Sequence, residues 1–373
     1  MTAPDFDIFL ACPPGLEAVL AGEARAAGFA LPETTAGGVT TRGGWPEVWR
    51  ANLSLRGAGR VLVRIAAFRA FHLAQLDKRA RKVPWGDYLR GDVPFRVEAV
   101  CRKSKIYHNG AAAQRVARAI GETLGAPEDR DGTVAETVTV MVRIEDNLVT
   151  VSLDSSGAPL HKRGHKEAVG KAPLRETLAA LVLRACGYDG SEPVVDPMCG
   201  SGTFPIEAAE IAMGLAPGRA RAFAFERLAG FDSDAWAAMK ASLPGHSTEL
   251  RFHGYDRDAG AVRMATANAA RAGVDRVCSF ACQPVSALER PAGSPGLVVV
   301  NPPYGGRIGN RKLLFGLYGA LGAVLKERFR GWRVGLVTND GGLAKATGLP
   351  FEPPGPPVAH GGLNVTLWRT AAL

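Results

Sequence analysis

Residues 194–203 read Val-Val-Asp-Pro-Met-Cys-Gly-Ser-Gly-Thr (VVDPMCGSGT), and the reading of this stretch decides the fold class. A short apolar strand, Pro193–Asp196, ends in a carboxylate, a glycine-rich turn follows, and a helix is predicted over Thr203–Met213. Gly200 and Gly202 allow positive φ and let the backbone approach a ligand closely. A turn in this place lies at the carboxyl end of a strand, where open α/β sheets hold their ligands. The dinucleotide fingerprint needs a third glycine, which does not follow here, Ile206 being the nearest apolar residue. The G-K-[ST] of a phosphate-binding loop is absent as well. Asp196 would repel a pyrophosphate, and it suits a ligand that carries an amino group and a sulfonium and no phosphate.

Downstream, strands and helices alternate. Strand Phe252–Asp256 precedes helix Ala259–Ala272, strands Val277–Ala281 and Gly296–Asn301 follow, and helix Lys312–Phe329 leads to strand Trp332–Thr338. A Pro-rich loop, Phe351–Pro357, precedes a last strand, Leu363–Arg369, and a helical segment, Leu174–Arg184, lies upstream of the loop. This order predicts an α/β, Rossmann-like domain with a doubly wound, mostly parallel sheet over residues 173–373.

The first half reads differently. Asp5–Leu10 is a short strand, Pro13, Pro14 and Gly15 break it, and Leu16, Val19, Leu20 and Ala24 space a helix over Leu16–Ala27 that Gly28 stops. Gly37–Thr41 is a further short strand. Alternation predicts strands at Arg60–Phe68 and Phe95–Cys101, and a helix is expected at Ala111–Leu124. Strands Thr137–Ile144 and Asn147–Asp154 are expected to form a hairpin turning at Glu145–Asn147. The expected division is residues 1–51, residues 52–156 as a small α+β domain, a linker at 157–172, and the α/β domain at 173–373.

Composition narrows the class. At 46% hydrophobic and 22% charged over 373 residues, the chain reads as a globular protein. No run approaches the ~20 apolar residues of a membrane span. Met1–Phe9 carries two aspartates and no basic cluster, so no signal or transit peptide is expected and the cytoplasm is. The six cysteines show no C-x-x-C spacing; they read as free thiols, with Cys278 and Cys282 buried, and no metal site is expected. A net charge of +9 suits a polyanionic partner.

Two further motifs carry chemistry. Asp256 closes the strand of Gly254–Asp258, where a carboxylate can accept from the 2′ and 3′ hydroxyls of a ribose. Leu297–Val300 runs into Asn301-Pro302-Pro303-Tyr304-Gly305. An exocyclic amine on a base is a poor nucleophile, because its lone pair is delocalised into the ring. The Asn301 carboxamide oxygen and the Pro302 carbonyl can accept its two N–H groups and turn the lone pair towards a sulfonium methyl. Pro302 and Pro303 fix the carbonyl direction and remove competing donors. Tyr304 offers a face on which a flipped base can stack.

DPMCGSGT with NPPYG resembles the class I S-adenosylmethionine-dependent methyltransferases of base amino groups. GLEAVL near the start, CRKSKIYH at Cys101–His108 and LHKRGHKEAVGKAPLRETLAA at Leu160–Ala180 resemble bacterial THUMP-domain RNA methyltransferases, over nearly the whole chain. The resemblance implies a ferredoxin-like segment at 1–51, a THUMP RNA-binding domain at 52–156 and a class I methyltransferase domain at 173–373. It implies S-adenosylmethionine as cofactor and the exocyclic N2 amine of a guanine in structured RNA as substrate. 23S ribosomal RNA comes first and tRNA second; an RNA-binding module without turnover is the rival from another class. Longer relatives carry a second methyltransferase domain, and none is expected from this sequence.

The resemblance also assigns residues. Asp196, Pro197, Cys199, Gly200, Gly202, Thr203 and Asp256 would line the cofactor. The family's acidic residue for the adenine amino group falls at Pro284 here, which leaves Gln283 or backbone to do its work. Arg175, Glu176 and Thr177 would lie at the methionine end, with Arg175 on its carboxylate; an ordinary amphipathic helix is the alternative. Arg102, Lys103, Lys105, Tyr107 and His108 would contact RNA by phosphate pairing and stacking. Lys162, Arg163, His165 and Lys166 would either hold RNA at the catalytic mouth or solvate a linker. Lys78, Arg79, Arg81 and Lys82 read as a solvated cluster.

Overall fold

The computed structural model describes residues 5–166, 174–304 and 311–373. They fall into two compact units, one built from Met1–Cys12, Ala24–Leu160 and Arg221–Ser242, the other from Pro13–Glu23, His161–Ala220 and Leu243–Leu373.

The first unit is organised by strands β1 (Phe6–Ala11), β2 (Ala30–Thr35), β3 (Gly38–Gly43), β4 (Arg60–Arg69), β5 (Phe95–Arg102), β6 (Val138–Glu145) and β7 (Leu148–Asp154). Among the described residues they make one seven-stranded sheet in the order β2-β3-β1-β4-β7-β6-β5. β4 joins its halves: Arg60–Arg64 pairs antiparallel with β1, and Leu62–Arg69 pairs antiparallel with β7. The alternation that announced β4 is structural, since Val61 and Val63 are buried, and β1 buries Phe6, Ile8 and Leu10 in the same way. The expected hairpin forms with Asp146 and Asn147 both at positive φ (49° and 61°), the conformation of a type I′ turn. Gly28, at φ 74°, ends the helix Glu17–Ala26.

Several elements here were not anticipated, among them β2 and helix Leu73–Ala80. Helix Trp45–Ser54 buries Trp45, Val48, Trp49 and Leu53, a helical spacing that was legible. Arg221–Ser242, inside the range expected for the methyltransferase domain, packs in the first unit. Its Phe225 N–H donates to the Ser155 carbonyl (3.0 Å), and Phe225 lies 5.0 Å from Trp236 and 6.1 Å from Trp49, ring centre to ring centre.

The second unit contains β8 (Val194–Asp196), β9 (Phe252–Asp256), β10 (Cys278–Cys282), β11 (Leu297–Val300), β12 (Arg333–Thr338), β13 (Val358–His360) and β14 (Leu363–Arg369). Their order is β10-β9-β8-β11-β12-β14-β13. The first five are parallel; β14 runs antiparallel to β12, and β13 to β14. This is the Rossmann-like, mostly parallel sheet that the motif order demanded. Its strand order reverses between β8 and β11, which is where such sheets bind ligands. Cys278 and Cys282 do not share a buried fate: they sit on the edge strand β10, Cys278 half-buried and Cys282 exposed. All six cysteines are free.

Candidate cofactor and catalytic site

The turn after β8 is built by its glycines and two aspartates. Gly202 has φ 83°, and a Cβ there would come within 2.9 Å of Ala265 and 3.1 Å of the Phe280 ring, so only glycine fits. Gly200 has φ 52°, and a Cβ there would meet open space. The first glycine is demanded by packing, and the second leaves room above the loop. Asp256 ties the loop to β9: its Oδ2 accepts from the Gly200 N–H (2.9 Å) and its Oδ1 from the Asp258 N–H (3.0 Å). A carboxylate has about four acceptor sites, so two remain for hydroxyls. The Gln283 N–H donates to the Asp256 carbonyl (2.9 Å), which places Gln283 beside the loop, while Pro284 starts a short 3-10 turn.

Asp196 is fully buried. Among the described residues its Oδ1 accepts from the Met198 N–H (3.0 Å), and burial, with Asp256 adding repulsion, pushes its carboxyl well above the ordinary range. Among the described residues no cation pairs with this carboxyl, and a Cβ at Gly200 would meet nothing within 4 Å, so the site suits a ligand that brings its own positive charge. Cys199 is buried behind the loop and burial pushes its thiol up, so it packs and does not react.

Asn301 follows β11 across the switch point, where Val298 pairs with Val195. Its Oδ1 is buried and accepts no hydrogen bond among the described residues. Such an orphan acceptor is costly in a finished fold and is expected where a substrate donor completes it. The following turn is clamped by Tyr318, whose hydroxyl lies 3.4 Å from the Pro303 carbonyl and 3.3 Å from Thr338 Oγ1. Pro302 is buried. Tyr304, expected to offer a stacking face, is 2% exposed, so in this arrangement its ring has no open face for a base. The next residues of the motif, from Gly305, lie outside the described residues.

The basic run after Leu160 is split: Lys162 faces outward, while Arg163 and His165 turn inward. Arg163 and His165 are buried; Arg163 pairs with buried Glu207 (3.2 Å), and His165 Nδ1 lies 4.0 Å from Glu210. Lys166 Nζ meets Glu176 Oε1 (3.0 Å), Thr203 Oγ1 (2.9 Å) and the Leu174 carbonyl (3.1 Å). Arg163 and His165 therefore have no surface to offer RNA, and Lys166 fastens the segment before helix Glu176–Ala185 to the start of the glycine-loop helix. Glu207 and Glu210, two acids on the otherwise apolar helix Thr203–Ala212, were the signal for this pairing. Glu176 and Thr177 are buried, and Glu176 is satisfied by Lys166. Arg175 is exposed and makes no ion pair among the described residues. Lys162 is exposed.

His161 sits in this cluster. Burial, then the charges of Arg175, Lys162, Arg163 and Lys166, hold its imidazole down to about 4. A folded value below the unfolded one, about 6.5, contributes stability that is full above pH ~6.5 and lost as pH falls towards 4. Urea unfolding of His161→Asn is expected to show a shallower loss of stability over that window than wild type. Identical slopes would remove His161 from the acid response.

In the first unit, Arg102, Lys103, Lys105, Tyr107 and His108 are all exposed after β5. His108 also caps helix Asn109–Leu124, its Nδ1 accepting from the Ala111 N–H (3.1 Å). The Lys105 N–H donates to Asn147 Oδ1 (2.8 Å), which pins the loop to the β6–β7 turn. Lys78 and Arg79 end helix Leu73–Ala80, and Arg81 pairs with Asp77 (3.0 Å) and with Glu122. Among the described residues no group of His, Cys, Asp or Glu could hold a metal ion, and no helix is long and apolar enough to cross a membrane.

Sheet order and the glycine loop place the second unit among the class I S-adenosylmethionine-dependent methyltransferases. Residues 163–350 match the RMKL-like methyltransferase domain, and the chain belongs to that family. Residues 7–62 match the RlmL ferredoxin-like domain and residues 71–154 the THUMP domain. The chain is 35% identical over 363 residues to the ribosomal RNA large subunit methyltransferase K/L of Chromohalobacter salexigens, covering 92% of this chain and 50% of that protein. It thus spans about half the length of the relatives of that name. It is 32% identical over 362 residues to Synechocystis slr0064, named as an RNA methyltransferase, covering 95% of this chain and 94% of that one. Among solved structures, a Listeria monocytogenes protein described as an N6-adenine-specific DNA methylase superposes with TM-score 0.89 at 30% identity, covering 99% of this chain and 97% of that one. SMU.472, a methyltransferase complexed with SAH, superposes with TM-score 0.90 at 26% identity, covering 100% and 99%.

Proposed function

We propose that this chain transfers a methyl group from S-adenosylmethionine to the exocyclic N2 amine of a guanine in 23S ribosomal RNA. The observation that carries the reading is the buried, unused acceptor of Asn301 at the switch point, next to the loop that suits the cofactor. The residues fit the cofactor: Gly200 leaves room for it, Asp196 awaits a cation, and Asp256 retains acceptor sites for hydroxyls. Arg175, exposed and without an ion pair among the described residues, would take its carboxylate, and Gln283, whose N–H donates to the Asp256 carbonyl, would meet the adenine amino group.

When bound, the cofactor supplies an electrophilic sulfonium methyl. The chain's part is to prepare the nucleophile. Asn301 Oδ1 accepts one N–H of the amine and the Pro302 carbonyl the other, which draws the lone pair out of conjugation and aims it along the methyl–sulfur axis. As the N–C bond forms and the methyl–sulfur bond breaks, with its electron pair returning to sulfur as the neutral thioether leaving group, positive charge grows on nitrogen, and the same two oxygens stabilise it. The nitrogen then releases one proton to solvent, so no strong general base is required. RNA and its ribosomal source are supported by the THUMP match and by the relatives' names. Guanine is supported by the family likeness alone. A large-subunit RNA substrate would be met in the cytoplasm, which is the compartment this reading favours.

Two measurements test the proposal. Labelled cofactor, the full chain and unmodified ribosomal RNA or tRNA, followed by nuclease digestion and mass spectrometry, should yield N2-methylguanosine in ribosomal RNA. Methylated adenine, or label in tRNA alone, would overturn the base or the substrate. The Arg102, Lys103 and Lys105 triple Ala variant should bind RNA more weakly, with its log–log salt slope flattened by about 0.7 for each lost single-strand phosphate contact. Cofactor affinity should be unchanged. A wild-type salt slope would make the loop a solvated feature only.

A further inference from the structure

The seven-stranded sheet of the first unit buries one face and leaves part of the other open. On the open side a trough of about 460 Å³ runs over β1, β4, β5, β6 and β7, with Phe9, Leu62, Val100, Met141 and Leu148 among its lining. Val100 and Leu148 are more than 40% exposed, unusual for large apolar side chains on a sheet. Arg64 lies in the same trough. Its guanidinium stands 4.9 Å over the Phe9 ring and donates to Thr40 Oγ1 (3.3 Å), and it makes no ion pair among the described residues.

The mouth of the trough is cationic. Glu145 pairs with Arg143 (2.6 Å), and Arg102 and Lys103 are close enough to help hold its carboxyl below the usual range. The basic loop is fastened there, through Lys105 to Asn147 and through the Asn147 N–H to Ser104 Oγ (3.0 Å). At its other end the trough shares Glu98 with a second cavity, about 410 Å³, which Arg60, Arg96 and Arg227 help to line.

We propose that this open sheet face is the platform for an unpaired segment of the RNA substrate, with bases on the apolar floor and a phosphate on Arg64. An unpaired strand presents flat base faces and anionic phosphates together, which is the pairing of surfaces found here. A duplex hides its base faces and would leave the apolar floor uncovered. A neutral protein segment would cover the floor but bring no anion to Arg64, whose carboxylate neighbour, Asp7, is already paired with Arg42 (3.1 Å). The inference rests on RNA being the substrate and not on which base is methylated.

The test uses the full chain with Arg64→Ala and, separately, Val100→Glu. Val100 is exposed, so a carboxylate there repels RNA without disturbing the core. The probes are a labelled 12-nucleotide unpaired RNA and a paired hairpin of similar length. Each variant should raise Kd for the unpaired probe by about tenfold, and Arg64→Ala should flatten its salt slope by about 0.7. Hairpin and cofactor affinities should stay within twofold, and 4-thiouridine crosslinks should fall on peptides holding Val100 or Met141. Unchanged binding of the unpaired probe in variants that melt with wild type overturns the proposal, as it would if the face docked a protein. Equal loss for the hairpin also overturns it, because the face would then be a phosphate patch without a base platform. Failure of wild type to methylate RNA while these binding differences persist would sink the proposed reaction and leave this surface standing.

Discussion

Asn301→Ala is expected to lower single-turnover methyl transfer by roughly 10²–10³, by analogy with removal of one preorganised polar contact to a developing charge. Cofactor affinity should stay within twofold. The difference follows from when the contact matters. The charge on the amine nitrogen exists only as the new bond forms, so the loss should appear in kcat more than in KM. The structure sharpens this, since Asn301 Oδ1 is buried with no partner among the described residues. Deleting an acceptor that satisfies nothing in the protein itself should leave the fold as stable as before, or more so. A near wild-type rate in a folded Asn301→Ala enzyme would refute the proposed orientation of the amine, even if methylation itself were confirmed.

Asp196→Asn is expected to act in opposite directions on binding and on stability. Its carboxyl is raised well above the ordinary range by burial and by Asp256. For an acid raised on folding, stability is greatest below the unfolded value of about 3.9 and is lost as pH climbs through the folded value. At neutral pH the side chain is therefore a burden on the fold. The amide, which carries no charge to bury, should therefore melt at a higher temperature than wild type at pH 7.5, and the gain should vanish below pH ~4. S-adenosylmethionine, which brings a cation, should bind the amide variant about 10- to 100-fold more weakly, the scale of a charged hydrogen bond. In wild type, binding should release a proton, so affinity should fall as pH is lowered. Calorimetry in buffers of differing ionisation enthalpy reads that proton. No proton release, with unchanged affinity for Asp196→Asn, would remove Asp196 from the cofactor site.

Local chemistry was legible wherever a few neighbouring residues settle the conformation. The bounds of strand Phe252–Asp256, helix Ala259–Ala272 and strand Leu363–Arg369 agree with their periodicity to the residue. The Asp146–Asn147 turn and the Gly28 stop follow from positive φ at residues that tolerate it. The Asp–Gly loop and the Asn-Pro-Pro turn identified the ligand end of the sheet, because strand-end motifs in an alternating α/β order have few places to go.

The sequence by itself determined the class of sheet, the position of the glycine loop and the Asn-Pro-Pro turn whose Asn301 Oδ1 is buried with no partner among the described residues. Tertiary structure alone decided who pairs with whom at a distance. Lys162–Lys166 reads as a charged surface run, yet Glu207 and Glu210 draw Arg163 and His165 inside, because buried acids on an apolar helix need cations. Arg221–Ser242 leaves the α/β order for the first unit because its aromatic rings find Trp49 there. The trough around Arg64 exists only because β4 pairs with β1 on one side and β7 on the other, which joins two stretches of chain into one sheet. Periodicity records which face of an element is apolar, not which distant element will cover it, and that choice is made by the packing of the whole chain.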